Sequence, residues 1–228
     1  MNSRQEFEED LTVLLSRITS DSDEKVKNKL NILKDCLVNL RKANIVKINH
    51  SIMELVCAKY LMEKGYEVQI EYPLNETLTC DLYATKGLGN LIVEVETGYI
   101  PPENALAPLT YTSARLASKI IRYSSFAGKF ALGVPPHYIL PLPRTLSKLP
   151  RSRKDWEILL IKKLCDVYYY NPPVTVEEIR NARIHEIYII DVDHAKVSEI
   201  DPEAYLKRAM ERGIAYDYMP DLPAEVRG

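Results

Sequence analysis

Two apolar stretches, Leu78-Thr79-Cys80-Asp81-Leu82-Tyr83-Ala84 and Leu91-Ile92-Val93-Glu94-Val95-Glu96, flank the turn sequence Lys86-Gly87-Leu88-Gly89-Asn90. Apolar strand formers bounded by glycines read as a β-hairpin. The constraint lies in the acids inside it. Residues two apart on a strand share a face and lie about 6.5–7 Å apart. Glu94 and Glu96 therefore project with Ile92, while Val93 and Val95 project the other way. An ionised carboxylate inside a buried apolar strand is costly unless a cation neutralises it. A hairpin that sets Asp81 beside Glu94 implies a hard, all-oxygen site of the kind Mg²⁺ prefers. The ordinary alternative is an exposed pair of acids on a hairpin surface.

Around the hairpin the periodicity changes from two to 3.6. Residues 5–19 place Phe7, Leu11, Leu14, Leu15 and Ile18 on one helical face, and residues 23–42 do the same with Val26, Leu30, Leu33, Leu37 and Leu40. Ser20-Asp21-Ser22-Asp23 separates them and can cap the second helix. The expectation for residues 1–46 is a helical hairpin packed on the chain's own core, since two heptads are too few for a coiled coil. A third helix is expected over 49–64, stopping at Gly65. Strands follow at 66–72, 78–84 and 91–96, then a helix at 111–125 and a strand at 129–134. Residues 135–153 are expected to form an ordered loop. A helix at 154–170, a strand at 185–192 and a helix at 202–212 complete the pattern. This is a mixed α/β domain over 47–214, with a tail from 215 to 228 lacking regular structure.

With 46% hydrophobic and 27% charged residues, the chain has the composition of an ordinary soluble globular protein. No apolar run approaches a membrane span, and the acidic N-terminus is unlike a signal peptide, so an intracellular protein without a membrane partner is expected. The four cysteines are too scattered for a zinc or disulfide framework. Charge is strongly segregated. From residue 104 to 154 there is no Asp or Glu, yet Arg115, Lys119, Arg122, Lys129, Arg144, Lys148, Arg151, Arg153 and Lys154 all lie there. Such a segment is either a solvated face or a surface that steers and holds a polyanion, and the second reading is preferred.

The element order and the acids together resemble the PD-(D/E)xK nuclease superfamily, the restriction-endonuclease-like fold, and its small archaeal and archaeal-virus members in particular. There a helix bearing an acid precedes a β-meander, with Asp entering the second strand and (Asp/Glu)-x-Lys on the third. Glu54, Asp81 and Glu94 stand at those places, and the resemblance spans about residues 47–135. It implies a mixed sheet core flanked by helices. It also implies Mg²⁺, with Mn²⁺ as a substitute, held by Asp81, Glu94 and Glu54. The activity implied is phosphodiester hydrolysis, with DNA favoured as substrate. Cutting both strands of a duplex commonly uses two sites related by a two-fold axis, so a homodimer is part of the same expectation.

Two positions depart from the pattern. Cys80 stands where the motif has Pro, and Glu96 stands where it has Lys. Some members resemble this chain in carrying Glu there; others move the Lys to the following helix, where Lys119 is the candidate. Arg115, Lys119 and Arg122 share one face of that helix. Arg115, Arg122, Arg144, Lys148, Arg151, Arg153 and Lys154 are the expected nucleic-acid contacts. Glu54, Asp81, Glu94, Glu96 and Lys119 are the expected catalytic set. His50, one turn before Glu54, either assists at the phosphate or is structural. The Tyr168-Tyr169-Tyr170 run either stacks on bases or packs in the core. Nothing resembles a base-reading helix, so structure-selective or weakly sequence-specific cutting is expected. The alternative is a catalytically inactive nucleic-acid-binding protein that keeps the nuclease fold. An assembly role for the N-terminal hairpin is a third, weaker reading.

Overall fold

Asp23 opens the second helix: its carboxylate accepts from the Val26 N–H at 2.7 Å, one of the donors that a helix start leaves over. The computed structural model describes residues 3–43 and 48–211, so the expected tail from residue 215 lies outside the described residues. Three helices lead the chain: α1 (Ser3–Ile18), α2 (Glu24–Lys42) and α3 (Ile48–Glu63). The expected stripes are the buried ones except at Leu40, which is half-buried. Phe7, Leu11, Leu14, Leu15 and Ile18 of α1 and Val26, Leu30, Leu33 and Leu37 of α2 are withdrawn from solvent. Each such side chain contributes about 1.5–3 kcal/mol. The three helices pack on one another, and α2 and α3 also touch the first strand. Gly65, at φ 84°, ends α3, with Tyr66 N–H closing onto Leu61 C=O at 3.0 Å.

Three strands form an antiparallel meander: β1 (Glu67–Pro73), β2 (Thr79–Lys86) and β3 (Gly89–Val95). Lys86 pairs with Gly89 and Thr85 with Asn90, so the turn is shorter than the five residues expected. Only Gly87 and Leu88 remain unpaired between the strands, and Gly87 takes a positive φ of 59°. Further strands are β4 (Lys129–Val134), β5 (Glu186–Asp191) and β6 (Lys196–Ile200). The six strands make one sheet in the order β1-β2-β3-β4-β5-β6, and α4 (Pro108–Tyr123) connects β3 to β4. The described chain is thus a mixed α/β fold with eight α-helices, the others being α5 (Arg144–Ser147), α6 (Asp155–Tyr168), α7 (Val176–Asn181) and α8 (Pro202–Glu211).

The chain divides into two compact units: residues 1–97, 133–136 and 188–198 form the first, the rest the second. In the first, residues 91–96, the end of β3 and the residue after it, are buried without alternation. Gly133 of β4 is a point of close approach there. A Cβ on it would meet Ile190 Cδ1 at 2.7 Å, with Val93 and Val95 methyls at 3.6 Å. In the second unit, α4 packs on α6 through Ala114 and Leu164, with Tyr111 edge-on to Tyr168 at 5.5 Å. Tyr168 and Tyr169 are packed against this cluster, so two of the three consecutive tyrosines are structural. Ser113 Oγ donates to Pro141 C=O, and Leu140 N–H donates to Tyr205 Oη, which orders part of the expected loop.

Two consequences are measurable. Gly133→Ala should destabilise the protein by roughly 1–3 kcal/mol through overpacking against Ile190. Adding Ile190→Val should recover part of the loss in chemical denaturation. The second concerns His185, whose Nδ1 accepts from the Phe130 N–H at 3.1 Å. Burial first, then Arg183 and Lys129, hold its pKa below the ordinary 6.5. The unfolded chain therefore binds the proton more readily than the native one. The neutral ring's contribution is present above about pH 6.5 and is lost as pH falls from there toward the native value. His185→Gln should flatten the melting temperature against pH in that window.

Candidate functional site

The ladder between β2 and β3 ends at Leu82 and Val93. One step beyond that pair, Asp81 and Glu94 stand opposite each other, and side chains replace the backbone partners. Glu94 Oε1 accepts from the Asp81 N–H at 3.1 Å, and Asp81 Oδ2 accepts from the Val95 N–H at 2.6 Å. Each carboxylate thus serves the strand that carries the other. Beyond this point β3 turns to β4, where the Glu96 N–H donates to Gly133 C=O at 2.7 Å. Glu94 and Glu96 are both buried, at 2% exposure.

The third acid comes from α3, which packs on all three strands of the meander. Glu54 is fully buried, and His50 precedes it by one turn on the same side of the helix. Among the described residues, one ligand atom each from His50, Glu54 and Asp81 lies within 4.8 Å of the others. Thr97 Oγ1 stands 3.4 Å from His50 Nε2. Asp81 and Glu54 are therefore brought together with His50, whereas Glu94, expected to share one cation with Asp81, is not among the three. Glu94 meets the group through the backbone of Asp81, and the imidazole takes a place beside the acids.

The surroundings are negative. Burial, then the charge of Glu54, pushes the Cys57 thiol far up; burial, then Glu94 and Asp81, does the same to Cys80. Burial and the neighbouring acids thus favour the protonated form of both thiols. Within the group that comes together, the donors are carboxylate oxygens and one imidazole. They fit a small divalent cation, which would offset the buried carboxylates. Sequence reasoning passed over Glu71. It falls between the pairs Ile70–Leu82 and Tyr72–Cys80, across from Asp81, and has a φ of 46° in mid-strand. A non-glycine residue there costs about 1–3 kcal/mol.

The basic segment separates into different roles within the second unit. Arg153 is the clearest correction: it is a structural residue with 6% exposure, not a phosphate contact. Its Nε donates to Thr145 C=O at 2.9 Å, Nη1 to Ile179 and Arg180 at 2.7 and 3.3 Å, and Nη2 to Leu146 and Lys148 at 3.2 and 3.0 Å. Burial, then Arg183, lowers its pKa to about 10, which leaves it charged at neutral pH. Lys148 pairs with Glu157, itself buried at the start of α6. Arg122 donates to Pro172 C=O, and Arg115 donates to Tyr99 C=O at 2.7 Å while lying over the Tyr111 ring. Lys119 is half-buried on α4, whereas Arg144, Arg151 and Lys154 are exposed.

Arg153→Ala should cost at least about 3 kcal/mol, because several buried carbonyls lose their donor at once. Arg151→Ala should stay within roughly 0.5 kcal/mol. Equal denaturation midpoints for the two variants would contradict the assignment.

Compared with known proteins, the chain matches no family model, no curated protein and no solved structure.

Proposed function

We propose that the chain is a metal-dependent nuclease hydrolysing phosphodiester bonds in DNA, built on a restriction-endonuclease-like core. The observation that carries this reading is the convergence of Asp81, Glu54 and His50 at the point where β2 and β3 part, with Glu94 clasping Asp81 from across the gap. A divalent ion held there, Mg²⁺ by the resemblance, would polarise the phosphate and acidify water. The protein's own part is positional. The Val95 N–H fixes one oxygen of Asp81, Glu94 fixes the backbone beneath it, and α3 brings Glu54 in from the side. Arg144, Arg151 and Lys154 are exposed cations that could meet backbone phosphates, contacts that position a duplex without reading its sequence.

A second reading is favoured by Glu96, a buried acid where the motif has Lys. On it the chain binds nucleic acid without turnover. A panel of labelled duplex, single-stranded, flap and junction DNAs, incubated with Mg²⁺ or Mn²⁺, separates the two. Wild type should cut at least one structure, and Asp81→Asn should lower the rate by about 10²-fold or more while leaving DNA affinity within a few-fold. Salt-dependent binding without cleavage under any metal would move the conclusion to the binding-only reading.

A further inference from the structure

We propose that the outer face of α6 is a surface for single-stranded DNA, on which Trp156 stacks an unpaired base. The inference rests on the DNA-binding part of the reading above and goes beyond it in naming the surface and the form of DNA.

The inner side of α6 is spent on packing. Ile158, Ile161, Leu164 and Cys165 are buried, and the helix packs on α4, α5 and α7. The outer side is not the polar face expected of a helix that meets only water. Trp156 and Leu159, one turn apart, keep 51% and 53% exposure. Lys163 continues the same line one turn further on and is exposed as well. A single exposed Leu needs no explanation, but a solvated indole beside it makes a surface suited to contact.

Charge decides the kind of partner. Arg151 and Lys154 are exposed just before the helix, so cations stand on both sides of the Trp156–Leu159 step. The neighbouring acids are engaged elsewhere: Asp155 with Arg180 at 2.8 Å, Asp166 with Lys162, and buried Glu157 with Lys148. The line of Trp156, Leu159 and Lys163 carries no acid itself. Trp156 and Lys163 lie about 10 Å apart along the helix axis, so one strand can lay a base on the indole while phosphates to either side meet Lys and Arg. An aromatic face flanked by cations is the combination that holds single strands, because every base offers a π-face and the cations follow the backbone. Bases inside a duplex are stacked on one another and offer none, which makes unpaired nucleotides the preferred form. A purely acidic peptide would answer the cations and leave the indole uncovered. All these residues belong to the second unit, so the surface needs nothing from the acids of the first.

Trp156 is the only tryptophan in the chain, so indole emission reports on this residue alone. The test uses the full chain without added divalent metal and a fluorescein-labelled oligothymidylate, with a blunt duplex of equal length for comparison. Label anisotropy measures binding, and indole emission measures stacking. Wild type should bind the single strand more tightly than the duplex, with indole quenching that saturates along the anisotropy curve. Trp156→Ala should lose about tenfold in single-strand affinity with an unchanged salt slope and melting temperature, whereas Trp156→Phe should retain most of the affinity. Arg151→Ala should keep the quenching and lower the salt slope by about 0.7. Single-strand binding without quenching of wild type, or with full affinity in Trp156→Ala, overturns the stacking surface and leaves the nuclease reading standing. Quenching by a strand that no metal causes to be cut keeps the surface and removes the nuclease reading. Failure of wild type to bind either DNA overturns both.

Discussion

The exchange between Asp81 and Glu94 is the interaction on which the first unit turns. Two strands that part must leave backbone N–H groups behind, and buried N–H groups without acceptors are rare because they are expensive. Here the acceptors are the carboxylates themselves. The gap between the strands is thereby bridged, and the acids are fixed by bonds to backbone. That arrangement frees β3 to continue along β4, as the Glu96 to Gly133 bond shows. It also leaves β2 facing the helix that carries Glu54 and His50.

The same geometry has an electrostatic cost. Glu54 and Glu94 are withdrawn from water, Asp81 is partly so, and the thiols of Cys57 and Cys80 register their charge. Glu71 adds a further acid opposite Asp81 on a strained backbone. Concentrating carboxylates in a dry region is destabilising by itself. A cation at the proposed site would offset that cost, because every acid that the fold has already placed would attract it.

What could be read from the letters was what local chemistry decides. The stripes of α1 and α2, the Asp23 cap, the Gly65 stop and the β2–β3 hairpin all rest on residues within a few positions of one another. β6 escaped because Lys196-Val197-Ser198-Glu199-Ile200 is mostly exposed and carries little apolar signal. Four-residue α5 is too short for a period, and six-residue α7 escaped too, although its Thr175 and Glu178 capping box is a local signal. In the site, strand register put Asp81 and Glu94 within reach of each other. The placing of His50 against Asp81 depends on how α3 lies on the meander, which no spacing encodes. A run of cations likewise does not say which one has a carbonyl waiting for it. Arg153 does, and its partners lie up to 27 residues away.

Those partners give Arg153 a wider consequence. Thr145 and Leu146 belong to α5, and Ile179 and Arg180 to α7, so one guanidinium receives the carbonyl ends of two helices of four and six residues. Helices so short do not persist alone in water. Their C-terminal carbonyls carry partial negative charge, and a shared cation joins them. The two segments therefore form a single cooperative unit in local opening: amide exchange in α5 and α7 should be governed by one opening event, although the helices lie some thirty residues apart in sequence.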